Sequence, residues 1–264
     1  MKSENRTAAG CILACLTLCI LFPGCSPREN QVTQFSTIDA LLAGSYDGFA
    51  DLQELDRVGN LGIGTFDKLN GEMILLDDEF WQARADGKII RMEENATTPF
   101  ASVCEFRPEL SKTLQPHPDM ASLTKTLDSI CEKTNGIYAV KITGDFNYVK
   151  TRSVPAQQKP YPPLIKVTEN QPEFEIRNST GTIVGFRLPP YVKGINVPGW
   201  HLHYLSDDRS FGGHLLQLNL KKAVCQADNL TRLTLELDKT GQSMADIDMT
   251  IDRTEELKQV EGTR

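Results

Sequence analysis

The chain has 264 residues, 40% of them hydrophobic and 24% charged, with a formal net charge of −7. That balance belongs to a globular protein with a real apolar core and excludes a disordered chain. No run of Lys and Arg interleaved with aromatics occurs, so no nucleic-acid partner is expected. Lys2 and Arg6 precede an apolar run from Cys11 to Phe22, CILACLTLCILF, closed by Pro23-Gly24-Cys25. The run is too short to span a membrane and has the three-part form of an export signal. Residues 1–25 are therefore expected to be a signal peptide, and the mature protein to be exported, periplasmic or extracellular. Gly24-Cys25 also matches the end of a bacterial lipoprotein signal, in which the Cys receives lipid, although Phe22 and Pro23 fit that pattern imperfectly. Cleavage and lipid anchoring at Cys25 both stay open, and membrane contact is expected only through this segment. Four of the seven Cys lie in it. Cys104, Cys131 and Cys225 remain, far apart and without a CxxC, and read as buried small hydrophobes.

Residues 26–35 read as a polar linker. A short helix follows in STIDALLAG, capped by Ser36 or Thr37 and stopped by Gly44. GIGTFDKL and EMILL, joined by Asn70-Gly71, predict a hairpin with a type I′ turn, and EFWQARA and KIIRM around Asp86-Gly87 predict a second. DMASLTKTLDSICEKTNG is a helix with Met120, Leu123, Leu127, Ile130 and Cys131 on one face, ended by Asn135-Gly136. AVKITGDFNYVKTRSV is a strand. Lys159 to Pro163, KPYPP, breaks regular structure and is the expected boundary between subdomains 36–158 and 159–264. Beyond it GTIVGFRL, GWHLHYL, HLLQLNL, KAVCQA and RLTLEL are strand-like, before a polar tail. The expected fold class is α+β: two β-rich subdomains with mixed or antiparallel sheets and a few helices.

Three of the four histidines fall between His201 and His214. On a strand His201 and His203 share a face, their Cβ atoms roughly 6.5–7 Å apart. With the loop LSDDRSFGG centred between Asp208 and Arg209, His203 lies opposite His214 across a hairpin, about 5 Å away. Three imidazoles around one point, with positions left open, match the ligand set of a catalytic zinc. Other divalent transition metals also take imidazole. Leu216, Leu218 and Leu220 are expected to share the face of His214 and form an apolar floor. His117, in QPHPD, reads as a surface residue.

GWHLHYLSDDRSFGGHLL resembles the α-acetolactate decarboxylases, which carry a Gly-aromatic-His-Leu-His segment followed by Gly-Gly-His. GTFDKLNGEMILLDDEFWQARADGK, Pro99-Phe100, KTRSV, QKPYPPL, GTIVGF and the terminal VEG resemble further blocks of that family in order. The resemblance implies an enzyme converting 2-acetolactate, a 2-hydroxy-3-keto acid, to acetoin and CO2 at a zinc held by His201, His203 and His214. It places a family acid on Glu72, an arginine on Arg152, a pocket threonine on Thr65 and the C-terminal glutamate on Glu261, for which Glu255 and Glu256 compete. Trp200 stands where Tyr or Phe is usual and is expected to narrow the entrance. Oligomeric state is not written in the sequence; a homodimer is one expectation. Without the resemblance, Glu72 reads as a solvated hairpin tip, Arg152 as a surface charge, Thr65 as an ordinary strand residue and Glu261 as a frayed end.

The implied chemistry suits these residue types. Loss of CO2 leaves an electron pair that flows into the neighbouring ketone as an enediolate, which a Lewis-acidic metal stabilises. Arg152 would grip the carboxylate by paired hydrogen bonds, and Glu72 or Glu261 would return a proton to carbon. Two other readings share the histidines: an exported metal-binding module without activity, and a zinc hydrolase, which the lack of an HExxH helix disfavours.

Overall fold

The computed structural model describes residues 30–261. The expected signal peptide and Cys25 lie outside them. Among the described residues no helix is long and apolar enough to cross a membrane. In chain order the elements are β1 (Gln31–Phe35), α1 (Ile38–Leu42), β2 (Ala50–Asp51), α2 (Leu52–Asp56), β3 (Leu61–Thr65), β4 (Glu72–Leu76), β5 (Glu79–Ala83), β6 (Ile89–Arg91), β7 (Thr97–Thr98), β8 (Ala101–Cys104), β9 (Leu110–Leu114) and α3 (Met120–Ile130). Then follow β10 (Ile137–Arg152), α4 (Leu164–Thr168), β11 (Glu173–Leu188), β12 (Gly199–Ser206), β13 (Gly212–Leu230), β14 (Arg232–Glu236) and α5 (Thr254–Glu261).

The fold is α+β, as expected. A seven-stranded sheet runs β14-β1-β8-β3-β4-β5-β6, and a five-stranded sheet runs β10-β11-β12-β13-β9. β10 pairs with both β11 and β13, so strands β10 to β13 close into a ring of pairings. The two sheets bury a common core in which Val32, Ile63 and Ile74 of the first meet Val184, Phe186 and Leu205 of the second. Helix α3 covers the other side of the second sheet. Asp119 caps it with a capping box to Ser122, and Leu123 and Leu127 bury against Tyr138, Val140 and Cys225. Cys104, Cys131 and Cys225 are free and buried.

Several expectations are corrected. The linker does not extend to residue 35, because Gln31–Phe35 is a buried strand between β14 and β8. Its polar letters mislead: Gln34 is buried and its amide is consumed by Phe35 O, Ser36 O and the Ser102 hydroxyl. Nor do the strands sort at residue 159. β9 and β10 precede that point yet belong to the five-stranded sheet, and β14 follows it yet pairs with β1. Pairing partners are chosen by burial across the core rather than by nearness in the chain. The β3–β4 connection is a six-residue loop between Thr65 and Glu72, not a two-residue turn, since Asn70 has φ −85°. Helix α3 stops at Ile130, before Asn135-Gly136. The polar tail contains α5, whose Val260 is buried.

Candidate active site

The hairpin register is the one the sequence predicts: His203 pairs with His214, Tyr204 with Gly213 and Leu205 with Gly212. On the far side of β13, His214 pairs with Arg152 of β10. Arg152, His214 and His203 thus form a row across three strands, with side chains on one face. Gly213 permits this close pairing. It has φ +132°, and a Cβ there would lie 2.5 Å from Arg152 O.

The expected apolar floor is not where the alternation put it. Thr151 pairs with Leu215 but Lys150 pairs with Gln217, so Leu216 is an extra residue in a bulge. The bulge reverses the alternation, and Leu218 and Leu220 join Leu215 in the core under α3. The site is lined instead by Ile38, Leu41, Leu69, Phe100, Val154, Leu164 and Val260, together with Thr65, Glu72, Arg152, Thr168, His201, His214 and Glu261. Apart from Pro99-Phe100, nothing in the local sequence marks these apolar residues, which arrive from α1, α4, α5 and loops. Trp200 does not narrow this cavity. It alternates away from His201, packs at the α3 core and donates from Nε1 to Asp128 (3.0 Å).

The three imidazoles are buried, with His203 fully so. Their rings stand 4.9–5.4 Å apart, centre to centre. One nitrogen from each lies within 4.8 Å of the others. His201 Nε2 and His214 Nδ1 are 3.1 Å apart. His203 Nδ1 lies 2.8 Å from Met73 O, so it carries the proton and donates. That leaves Nε2 as a lone pair, buried and without a hydrogen-bond partner in the protein. Burial, and then the charge of Arg152, push His201 down to about 3. Burial likewise holds His203 and His214 well below the ordinary imidazole value. Three neutral imidazoles with an orphaned lone pair fit a divalent metal, and a carbonyl fixing the His203 tautomer is the usual support for such a ligand.

Two carboxyls flank the cluster. Glu72 is buried at the start of β4, with Oε2 3.7 Å from His203 Nε2. It is not a solvated tip, because the loop before it folds inward. Thr65 Oγ1 donates to Gly71 O (2.7 Å), and Gly71 N donates to Val154 O (3.0 Å). Thr65, also buried, therefore fixes the turn that presents Glu72. Burial pushes the Glu72 carboxyl up to about 8, against the lowering effect of Arg152. Glu261 comes from α5, with Oε2 3.6 Å from His214 Nε2 and 3.9 Å from His201 Nε2. Burial raises it and Arg152 opposes the rise. Arg152 is buried too; its Nη2 lies 3.3 Å from Glu261 Oε1, and its Nη1 donates to Val260 O. Glu255 and Glu256, the competitors for the tail role, sit in the first turn of α5, and neither lines the cavity. His117 stays outside the site; its main chain pairs with Leu220 and its side chain is half-buried rather than on the surface.

Comparison with known proteins places the chain in one family. Residues 32–250 match the family model described as Alpha-acetolactate decarboxylase. The alpha-acetolactate decarboxylase of Methanosarcina mazei is 44% identical over 84% of this chain and 77% of its own length. That of Brevibacillus brevis is 39% identical over 89% of this chain and 82% of its own. The crystal structure of alpha-acetolactate decarboxylase from Bacillus subtilis strain 168 superposes with a TM-score of 0.85 at 34% identity, covering 88% of this chain and 99% of that one.

Proposed function

The chain belongs to the alpha-acetolactate decarboxylase family and is a carboxy-lyase, and from that premise we propose that it turns 2-acetolactate into acetoin and CO2 beside a divalent metal, zinc first, held by His201, His203 and His214. The observation that carries the metal is the buried, unpartnered Nε2 of His203 facing two more neutral imidazoles. A cation bound there would supply Lewis-acid stabilisation for the negative charge that develops on the substrate oxygens.

The protein's own groups do the rest. Arg152 holds the substrate carboxylate, since its Nε is buried without an acceptor and its guanidinium lies at the cavity wall. The lining of Ile38, Leu41, Phe100 and Leu164 keeps water from the carbon while CO2 leaves and the enediolate forms. Glu72, buried at the start of β4 beside His203, is the group placed to return a proton to carbon. Glu261, with Oε1 3.3 Å from Arg152 Nη2, orients the guanidinium.

Acetoin release from 2-acetolactate by the purified protein tests the reaction, with metal content measured alongside. Replacing His201, His203 or His214 with Ala should abolish both, and His117→Ala should change neither. Activity that survives complete removal of metal would overturn the metal assignment while leaving the decarboxylase in place.

A further inference from the structure

Glu72 and Arg152 come from different sheets, one from β4 of the seven-stranded sheet and the other from β10 of the five-stranded sheet. The loop of residues 66–71, just before Glu72, sets how they meet. Lys68 and Leu69 are consecutive non-glycine residues with φ +61° and +58°. Such residues hold a left-handed conformation only where their surroundings impose it. Hydrogen bonds impose it here. Lys68 N donates to Tyr46 O (2.7 Å), Gln157 N to Lys68 O (2.8 Å) and Gly71 N to Val154 O (3.0 Å). Those bonds join main chain to main chain and do not depend on side-chain identity. Side chains hold the last two carbonyls before Glu72. Thr65 Oγ1 donates to Gly71 O (2.7 Å), and Gln82 Nε2 donates to Asn70 O (2.6 Å).

We propose that Gln82 and Ser153 are positioning residues for the return of the proton to carbon. They fix where the Glu72 carboxyl stands relative to Arg152, and the proposal rests on the role given above to Glu72. Both are buried, and neither lines the cavity. Across the β4–β5 hairpin Gln82 pairs with Met73, and Ala83 pairs with Glu72. Paired residues share a face and successive ones alternate, so Gln82 lies on the face away from Glu72 and touches no substrate. It acts as a strut. Its amide holds Asn70 O ahead of Glu72, while its backbone runs beside Met73, the residue after. Met73 O in turn accepts from His203 Nδ1 (2.8 Å), so the same short stretch also sets the His203 tautomer. Ser153 ties this hairpin to the second sheet. It follows Arg152 directly, and its Oγ donates to Ala83 O (2.7 Å), on the residue opposite Glu72. Gly71 lets that carbonyl approach, since a Cβ there would lie 2.5 Å from Ala83 O. Losing either donor frees a carbonyl beside Glu72 and lets the strained loop relax.

Gln82→Met keeps the length of the side chain and loses the donor. Ser153→Ala loses the hydroxyl, and Ser153→Thr keeps it. Gln82→Met and Ser153→Ala should each lower kcat for acetoin release about tenfold or more, with KM within about twofold and metal content unchanged. Ser153→Thr should restore kcat, and the two Ser153 variants carry the test by themselves if Gln82→Met does not fold. In a Glu72→Gln background Gln82→Met should lower kcat no further, because the group it positions is already gone. Thermal melts of every variant set the assay temperature below unfolding, so lost protein is not read as lost kcat. Wild-type kcat in Gln82→Met or in Ser153→Ala overturns the proposal for that residue. An undiminished further loss in the Glu72→Gln background overturns it as well, because the strut would then serve stability alone. Wild-type kcat in Glu72→Gln itself would sink the proton role of Glu72 and this proposal with it, leaving the decarboxylase and its metal in place.

Discussion

Arg152 divides one guanidinium among several acceptors. Nη1 serves Val260 O, Nη2 reaches Glu261, and Nε, buried, serves no protein atom. A buried donor left without an acceptor costs about 1–3 kcal/mol, a cost that an arriving carboxylate removes. Arg152→Lys keeps the charge but loses the planar fork. It should lower kcat/KM by tens to hundreds, on the order of 2–3 kcal/mol, without loss of metal. Glu72→Gln should lower kcat by roughly 10²–10⁴, the span of a general acid, and remove its limb from the pH–rate profile. Glu261→Gln should lower kcat less and raise KM. Steady-state kinetics on the three variants separates these roles, and wild-type kcat in Glu72→Gln would exclude it as the proton store. The same buried groups set how the metal-free protein responds to pH. His201, at about 3 rather than 6.5, contributes stability that is whole above 6.5 and drains away as pH falls toward 3. Glu72, at about 8 rather than 4.5, contributes stability that is whole below 4.5 and is lost as pH rises to 8. His203 and His214 follow His201, and Glu261 follows Glu72. Urea midpoints of chelated protein should therefore peak near neutrality, and Glu72→Gln should flatten the alkaline side.

At the scale of elements, the site is a meeting of strand ends with one helix. The β12–β13 hairpin brings the histidines, the end of β10 brings Arg152, the start of β4 brings Glu72, and α5 brings Glu261. Helix α5 is the least anchored of these. Val260 is its one buried residue, half-buried Leu257 packs beside it, and Arg253 ties the chain before it to Asp39 O (3.3 Å). Ending the chain at residue 253 should leave both sheets folded. Losing the burial of Val260, worth about 1.5–3 kcal/mol, should lower Tm by roughly 3–12 °C in a chain of this size. Activity should fall at least as far as in Glu261→Gln, because Arg152 loses Val260 O as well. Calorimetry alongside acetoin release checks this; full activity in the truncated chain would remove α5 from the site.

At the scale of the whole molecule, residues 1–25 precede the first described strand, so a chain starting after Cys25 should fold and decarboxylate. The export reading predicts that the full-length chain leaves the cytoplasm. Lipid anchoring predicts that Cys25→Ser frees it from the membrane fraction, and soluble secretion of both forms would favour plain cleavage. The sequence by itself determined what local geometry controls. Strand alternation put His201 and His203 on one face, and the loop midpoint put His214 opposite His203. Gly44 bounded α1, with Ser36 and Thr37 both left as candidate caps until the structure chose Thr37, and the apolar face of α3 was legible from its spacing. Only the tertiary structure decided the rest. Local pattern assigns Glu72 and Arg152 to the surface, and their burial follows from an inward-folding loop and from a strand pairing 62 residues away, Arg152 with His214. The bulge at Leu216 moved the expected apolar floor, and β9, β10 and β14 crossed the expected domain boundary. A side chain's direction is set by its own backbone, so a few residues suffice to read it. What surrounds that side chain depends on which distant segments bury most surface together, and only the packed molecule settles that.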